Sequence, residues 1–243
     1  MVVGRRNKEC AHALIADAWA EPTLRMQRMH NFDKRRDRFE LFDRMDSPAV
    51  NLCFTLDLPD YRPWCKEHAL APFHVLLCAV LRSVLKIENF RYRVFNGEVI
   101  AIDRLMPSFT VVNQHNDLNF ALFDWTDDLR EFVRRGVKAR EQACAMTELN
   151  NAYADLSPRA GKDQVFITCI PWLDFTSIQH PIAALASPDI PSLAWGRFKD
   201  GPQGRLQLPF SVQAHHGFVD GFHIHQLAQQ IAAELTGFMA GQP

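Results

Sequence analysis

Residues 206–220 read LQLPFSVQAHHGFVD, and this stretch organises the rest of the chain. From residue 206 to residue 214, apolar residues alternate with others, which is the period of a β-strand with one buried face. His215 and His216 follow directly, Asp220 lies four residues after His216, and helical spacing begins after Gly221. The pattern predicts a strand that delivers an imidazole to a turn before a helix. A general base is held on a rigid element in this way.

The string H-H-x-x-x-D-G at residues 215–221 is more specific than two adjacent histidines, which are more often packed or solvated than catalytic. It joins a base, an acid at fixed spacing and a turn glycine. With its flanks, PFSVQAHHGFVDGFH, it resembles the signature of the chloramphenicol acetyltransferase family. The shorter H-x-x-x-D-G core also occurs in dihydrolipoamide acyltransferases, plant acyltransferases and peptide-synthetase condensation domains. All of these transfer acyl groups from a thioester.

Composition sets the broad class. The chain has 243 residues, of which 47% are hydrophobic and 23% charged, and a formal net charge of −1, so neither a nucleic acid nor a membrane is expected as a partner. Six scattered cysteines without a CxxC pair favour reduced thiols, and we expect a cytoplasmic protein.

Residues 1–30 are predicted to form a loosely attached N-terminal arm, and residues 31–243 a single acyltransferase domain.

Strand, hairpin and helix patterns are interspersed upstream. Alternation over residues 50–58 predicts a strand, near-continuous apolar residues over 72–86 predict a buried helix, and Asn96-Gly97 predicts a hairpin turn. The expected fold is therefore α/β, a two-layer sandwich with a mixed β-sheet covered by helices. The resemblance, which spans residues 32–238, implies the CoA-dependent acyltransferase fold. It also implies a homotrimer with active sites between subunits, and acetyl-CoA as a cosubstrate with no tightly bound cofactor.

The resemblance places His216 at the position of the family's catalytic histidine. A neutral alcohol is a poor nucleophile, and an imidazole can remove its proton near neutral pH. His216 is therefore predicted to be the general base that activates an acceptor hydroxyl for attack on the thioester. His215 points to the other face of the strand by alternation, and a structural or packing role is predicted for it.

Asp220 has two candidate roles. A carboxylate four residues after the base could orient the imidazole directly, as in a catalytic triad. The resemblance implies instead that Asp220 pairs with an arginine of an N-terminal element. Residues 35–42 read RRDRFELF and resemble that element, which places Arg35 at the arginine position. Arg35 and Asp220 are therefore predicted to give structural support to the site.

The resemblance also implies a donor for the oxyanion of the tetrahedral intermediate. The family supplies a serine hydroxyl from an S-x-x-P-W element, and residues 168–172 read TCIPW. Thr168 is therefore predicted to be this donor. Threonine keeps the hydroxyl but adds a methyl group that restricts its rotamers.

Two residues depart from the family's antibiotic pocket. Phe42 stands where the family carries a tyrosine, and Val50 stands where it carries an aromatic residue. Both are predicted to bind the acceptor, and the loss of a hydroxyl and a ring leaves open whether that acceptor is chloramphenicol. The resemblance to the chloramphenicol acetyltransferase family also implies antibiotic resistance as an expected biological role.

Other readings of the sequence remain open at this stage. The chain could acylate another alcohol or a thiol such as dihydrolipoamide, or it could be a non-catalytic binding protein on the same scaffold. His215, His216, His223 and His225 could be imagined as a zinc cluster, but no cysteine or second acid falls at ligand spacing. No metal site is therefore predicted.

Overall fold

A computed structural model describes residues 32–150, 156–182 and 188–241. The predicted N-terminal arm lies outside these residues, so its attachment stays a prediction. Within the described ranges, the five α-helices are α1 (Arg36–Asp43), α2 (Arg62–Glu67), α3 (Pro72–Lys86), α4 (Leu129–Ala145) and α5 (Gly221–Ala240). A short 3-10 helix, Phe32–Arg35, leads directly into α1.

The nine strands of the same ranges are β1 (Ala49–Pro59), β2 (Tyr92–Phe95), β3 (Glu98–Ala101), β4 (Ser108–Val112), β5 (Leu118–Leu122), β6 (Phe166–Cys169), β7 (Ser192–Trp195), β8 (Lys199–Asp200) and β9 (Arg205–His215). The main sheet has the order β1-β9-β7-β6, and β8 pairs with β9. β6 and β7 are parallel, whereas β9 is antiparallel to β1, β7 and β8. The sheet is therefore mixed, as predicted.

β9 lies inside the sheet and is buried on both faces over residues 208–215. The prediction of a single buried face was therefore wrong. Polar side chains on the second face are hydrogen-bonded: Ser211 donates to Asn51, and Gln213 exchanges hydrogen bonds with the backbone of His180. Burial of these groups is tolerated because each has a partner. Alternation in the sequence distinguishes polar from apolar residues but does not show which of them are buried. In β9 the polar residues of the second face are buried as well.

Helix α3 forms the centre of the helical layer. It begins with Pro72, which lacks the N–H that a first-turn residue would leave unbonded, and most of its side chains are buried. It packs against α5, which buries Ile224, Leu227 and Ile231 along one side. α5 in turn packs against β1, so the helices cover the apolar face of the sheet in a second layer. The predicted α/β sandwich is confirmed.

Local turn and cap chemistry fits the residue types at two element boundaries. Asn96 and Gly97 both adopt positive φ angles, 51° and 78°, and they join β2 to β3 in an antiparallel hairpin. Asp128 caps α4 by accepting the backbone N–H of Glu131 at 2.7 Å. These short-range features follow from the sequence because each depends on residues close together in the chain.

Candidate active site

His216 lies immediately after β9, where the chain leaves the sheet for α5. Its backbone N–H donates to the carbonyl of Pro48 at 2.7 Å, which fixes its peptide beside the start of β1. Its ring Nδ1 lies 3.0 Å from the carbonyl oxygen of Val219. Because a carbonyl oxygen only accepts hydrogen bonds, Nδ1 carries the proton and Nε2 keeps its lone pair in the neutral ring. The half-buried imidazole is thus held in the tautomer that a base requires.

The ring of Phe42 covers the imidazole of His216. The ring centroids are 4.1 Å apart with 33° between the planes. Val50 pairs with Ala214 in the sheet, so it lies beside the end of the strand that carries His216. The structure therefore places both predicted acceptor-binding residues close to the same histidine.

Arg35 and Asp220 meet across the loop that follows His216. The guanidinium Nη1 lies 3.2 Å from the Asp220 carboxylate, and Nε donates to the carbonyl oxygen of Gly217 at 3.1 Å. The ion pair is partly buried, with side-chain exposures of 19% and 35%. Such a pair is weak support for net stability, but it fixes geometry because loss of one partner leaves the other without its counter-charge. The catalytic consequence of this contact stays a prediction.

Asp220 also caps helix α5. Its carboxylate accepts the backbone N–H groups of Phe222 and His223, and His223 Nδ1 accepts the N–H of Asp220 in return. Burial opposes ionisation of Asp220, but nearby His223 and the hydrogen bond from Arg35 outweigh it, so the pKa of Asp220 lies below its ordinary value. Asp220 is thus engaged by Arg35 and the helix, and His216 is held by a carbonyl oxygen. This geometry favours the supporting role over the triad role.

His223 was considered from the sequence only as a zinc ligand, and its capping role was missed. Asp220 before Gly221 is a residue type that favours an N-cap, but His223 stands where the usual capping box has Glu or Gln, so the sequence did not mark its return contact. Among the residues that the structure describes, no group of three or more His, Cys, Asp or Glu side chains is arranged to hold a metal ion.

Thr168 lies on β6, at the far side of the sheet from the edge strand β1. It pairs with Ala194 on β7, and Ala194 pairs with Ser211 on β9. Thr168 is therefore two strands away from β9, level with Ser211, and His216 lies five residues further along from Ser211. Together the two offsets put Thr168 and His216 on the order of 20 Å apart. One chain alone does not bring these two predicted catalytic residues together.

No helix among the described residues has the length and apolar character needed to cross a membrane.

Known proteins with the same architecture define the class. A chloramphenicol acetyltransferase of known structure superposes with a TM-score of 0.72 at 24% identity, covering 84% of this chain and 97% of that one. The dihydrolipoamide acetyltransferase of Azotobacter vinelandii superposes with a TM-score of 0.59 at 16% identity, covering 90% and 93% of the two chains. The fold is that of the CoA-dependent acyltransferases.

Sequence comparison identifies the family within that class. The chain is 25% identical over 200 residues to a chloramphenicol acetyltransferase of Bacillus pumilus, which covers 81% of this chain and 87% of that protein. It is 27% identical over 192 residues to chloramphenicol acetyltransferase 2 of Haemophilus influenzae, covering 78% and 86%. The sequence profile of the chloramphenicol acetyltransferase family matches residues 27–232. The chain belongs to this family and is an acyltransferase.

Proposed function

We propose that this chain is an acetyl-CoA-dependent O-acetyltransferase in which His216 is the general base. The observation that carries the proposal is the hydrogen bond from Nδ1 of His216 to the carbonyl of Val219, which leaves Nε2 free to accept a proton. The similar dihydrolipoamide acetyltransferase has been investigated for the roles of a serine, a histidine and an asparagine in its catalytic mechanism. That enzyme supports a histidine-centred mechanism on this fold.

The reaction begins with a hydroxyl group of the acceptor. Nε2 of His216 takes the hydroxyl proton while the oxygen attacks the carbonyl carbon of acetyl-CoA, giving a tetrahedral intermediate with a negative oxygen. The hydroxyl of Thr168 donates a hydrogen bond to this oxyanion. The intermediate collapses with cleavage of the carbon–sulfur bond. The coenzyme A thiolate then receives the proton from the imidazolium, which returns His216 to its neutral form.

A complete site in this mechanism needs two copies of the chain. Thr168 and His216 lie on the order of 20 Å apart within one chain, which is too far for both to contact one acetyl group. We therefore propose a homotrimer in which Thr168 of one subunit faces His216 of the next. The family resemblance and the separation of the two residues in the sheet support this arrangement.

The acceptor is proposed to be a small hydroxylated molecule bound against Phe42 and Val50. These side chains offer an apolar surface beside the base and no hydroxyl of their own. Chloramphenicol has the chemistry required, and an enzyme that acetylated it in the cytoplasm would give antibiotic resistance. The relatives named for this activity support chloramphenicol as the first acceptor to test.

The experiment is a thiol-release assay with acetyl-CoA and a panel of acceptors. The panel contains chloramphenicol, other hydroxylated antibiotics, simple alcohols and dihydrolipoamide, whose own thiols require product detection by mass spectrometry. Acceptor-dependent release of coenzyme A with formation of an acetyl ester supports the proposal. Acetylation of dihydrolipoamide alone would assign a thiol acceptor, and binding without transfer for every acceptor would contradict O-acetyltransferase activity.

A further inference from the structure

Gly217, the residue after the proposed base, has no room for a side chain. A Cβ atom there would lie 2.7 Å from the Cα of Phe39 and 3.0 Å from the ring of His215. Both polar backbone groups of Gly217 are held by side chains. Its N–H donates to Nδ1 of His215 at 3.0 Å, and its carbonyl oxygen accepts Nε of Arg35 at 3.1 Å. The turn that begins at His216 is therefore held from two directions.

The ring of His215 is buried in a small aromatic cluster. Its side chain is fully buried, and its centroid lies 5.2 Å from that of Phe39 and 4.9 Å from that of Phe218. Phe39 and Phe218 also stack on each other at 4.9 Å. The cluster leaves the imidazole with little freedom to turn, so the direction of each ring nitrogen is set by packing.

The two ring nitrogens of His215 have different partners. Nδ1 accepts the N–H of Gly217, so the proton of the neutral ring is on Nε2, which lies 3.3 Å from the carboxylate of Asp43. His216 carries its proton on Nδ1 instead. The two adjacent histidines therefore hold opposite tautomers. Each tautomer is determined by the hydrogen bond that one ring nitrogen makes with a fixed group. A bond of this kind also orients a functional imidazole.

Burial keeps the ring of His215 neutral, against the effect of the nearby carboxylates. Burial lowers the pKa of His215, Asp43 and the more distant Asp189 raise it, and His216 lowers it, so that the pKa lies below its ordinary value. A neutral ring is needed here because a protonated Nδ1 would point its hydrogen at the N–H of Gly217.

We propose that His215 is a positioning residue for His216, acting through the N–H of Gly217, and that Asp43 holds His215 in the required tautomer. This inference rests on the proposed function, in which His216 is the base. It adds a specific polar contact to the structural or packing role predicted for His215 from the sequence. Asp43 enters the site for the first time, since nothing in its local sequence connects it with residue 215.

The first test compares two amide replacements of His215. In His215→Asn the amide oxygen can occupy the place of Nδ1 and accept the N–H of Gly217, whereas in His215→Gln the amide reaches the place of Nε2 and leaves that N–H without its acceptor. A displacement of about 1 Å caused by a distant change can cost about 10²-fold in rate. We expect His215→Gln to lose about this much kcat at nearly unchanged KM, and His215→Asn to retain most of kcat.

The second test concerns Asp43. Asp43→Ala removes the acceptor for Nε2 and should lower kcat about five-fold, the effect of one lost hydrogen bond. Asp43→Asn keeps an acceptor oxygen and should restore kcat. The matched control is Asp46→Ala, which removes an exposed carboxylate three residues further along the chain and should leave kcat unchanged. Equal losses in His215→Asn and His215→Gln, or no effect of Asp43→Ala, would overturn the proposal.

A measurement without turnover separates this inference from the proposed function. Long-range nitrogen–proton NMR spectra of protein labelled with ¹⁵N-histidine report which ring nitrogen carries the proton. In the wild type we expect the proton of His215 on Nε2 and that of His216 on Nδ1, with the His216 signals altered in His215→Gln. A proton on Nδ1 of His215 would overturn the inference even in an active enzyme. If the tautomers are as expected but no acceptor is acetylated, the proposed function fails while the positioning contact stands. Should His215→Gln fail to fold, the wild-type spectrum and the Asp43 variants decide the matter.

Discussion

Phe42 lies directly on the imidazole of His216, with 4.1 Å between the two ring centroids. The contact joins helix α1 near the start of the described chain to the turn after β9 near its end. One face of the imidazole of His216 is therefore covered by an apolar ring. This relationship connects the choice of acceptor with the position of the proposed base.

The first prediction concerns that base. His216→Ala should keep the fold and lower kcat by about 10²–10⁴-fold, because removal of a general base typically costs this much. Steady-state thiol release at saturating acetyl-CoA measures the loss. The control is His225→Ala, which removes an exposed imidazole from α5. Near-full turnover by His216→Ala would show that another group takes the proton.

The second prediction concerns the oxyanion donor. Thr168→Val preserves the shape of the side chain and removes the hydroxyl, so we expect kcat to fall by roughly 10²–10³-fold with little change in KM. Thr110→Val is the control, since Thr110 is also half-buried on a strand, in the β4–β5 hairpin. An effect confined to KM would mean that Thr168 contacts the acceptor and does not stabilise the oxyanion.

The third prediction follows from the separation of Thr168 and His216 within one chain. If each site takes one of these residues from each of two subunits, trimers assembled from Thr168→Val and His216→Ala chains contain some sites with both native residues. Unfolding and refolding the two inactive variants together should therefore restore part of the activity. Refolding each variant alone is the control. No recovery from mixed trimers of confirmed composition would place both residues in one subunit's site.

The fourth prediction concerns the acceptor. Because Phe42 lacks a hydroxyl and Val50 lacks a ring, polar groups of chloramphenicol would be left without partners, and we expect a high KM for this antibiotic. Phe42→Tyr combined with Val50→Phe should lower that KM, measured at saturating acetyl-CoA. A wild-type KM in the low micromolar range would show that other side chains bind the antibiotic.

The fifth prediction concerns the pH dependence of stability. Burial on α3 lowers the pKa of His74 from 6.5 to about 4. Between these two values the unfolded chain binds more protons than the folded chain, so the free energy of unfolding falls as the pH falls, by roughly 3 kcal/mol in all. His74→Leu should reduce this slope between pH 6.5 and pH 4 in urea titrations. His115→Leu, at an exposed site, should not reduce it, and an unchanged slope in His74→Leu would contradict the assignment.

Much of the fold could be predicted because its signals are local. Helix α3 has the predicted bounds, and the Asn96-Gly97 turn has the positive φ angles that its residue types favour. Contacts between distant residues required more. The family resemblance, and not spacing, placed Arg35 against Asp220, which is 185 residues away.

The finer geometry of the site could not be predicted from the sequence. The partner of His216 is a backbone carbonyl, and every residue offers one, so no residue type marks it. The contact of His215 with Asp43 spans 172 residues and depends on how α1 packs against the end of β9. Such contacts depend on tertiary packing, and they produce no periodic pattern in the amino-acid sequence.

Arg35, Phe39 and Asp43 follow one another at intervals of four residues, and each contacts the loop from His215 to Asp220. Residues at this spacing lie on one side of a helix, and removal of one residue between them would rotate the rest by about 100°. A single deletion here would therefore cost several contacts together, whereas substitutions at outward positions such as Asp37 would cost little. Over evolutionary time, this segment should vary freely in its exposed residues and hardly at all in its length.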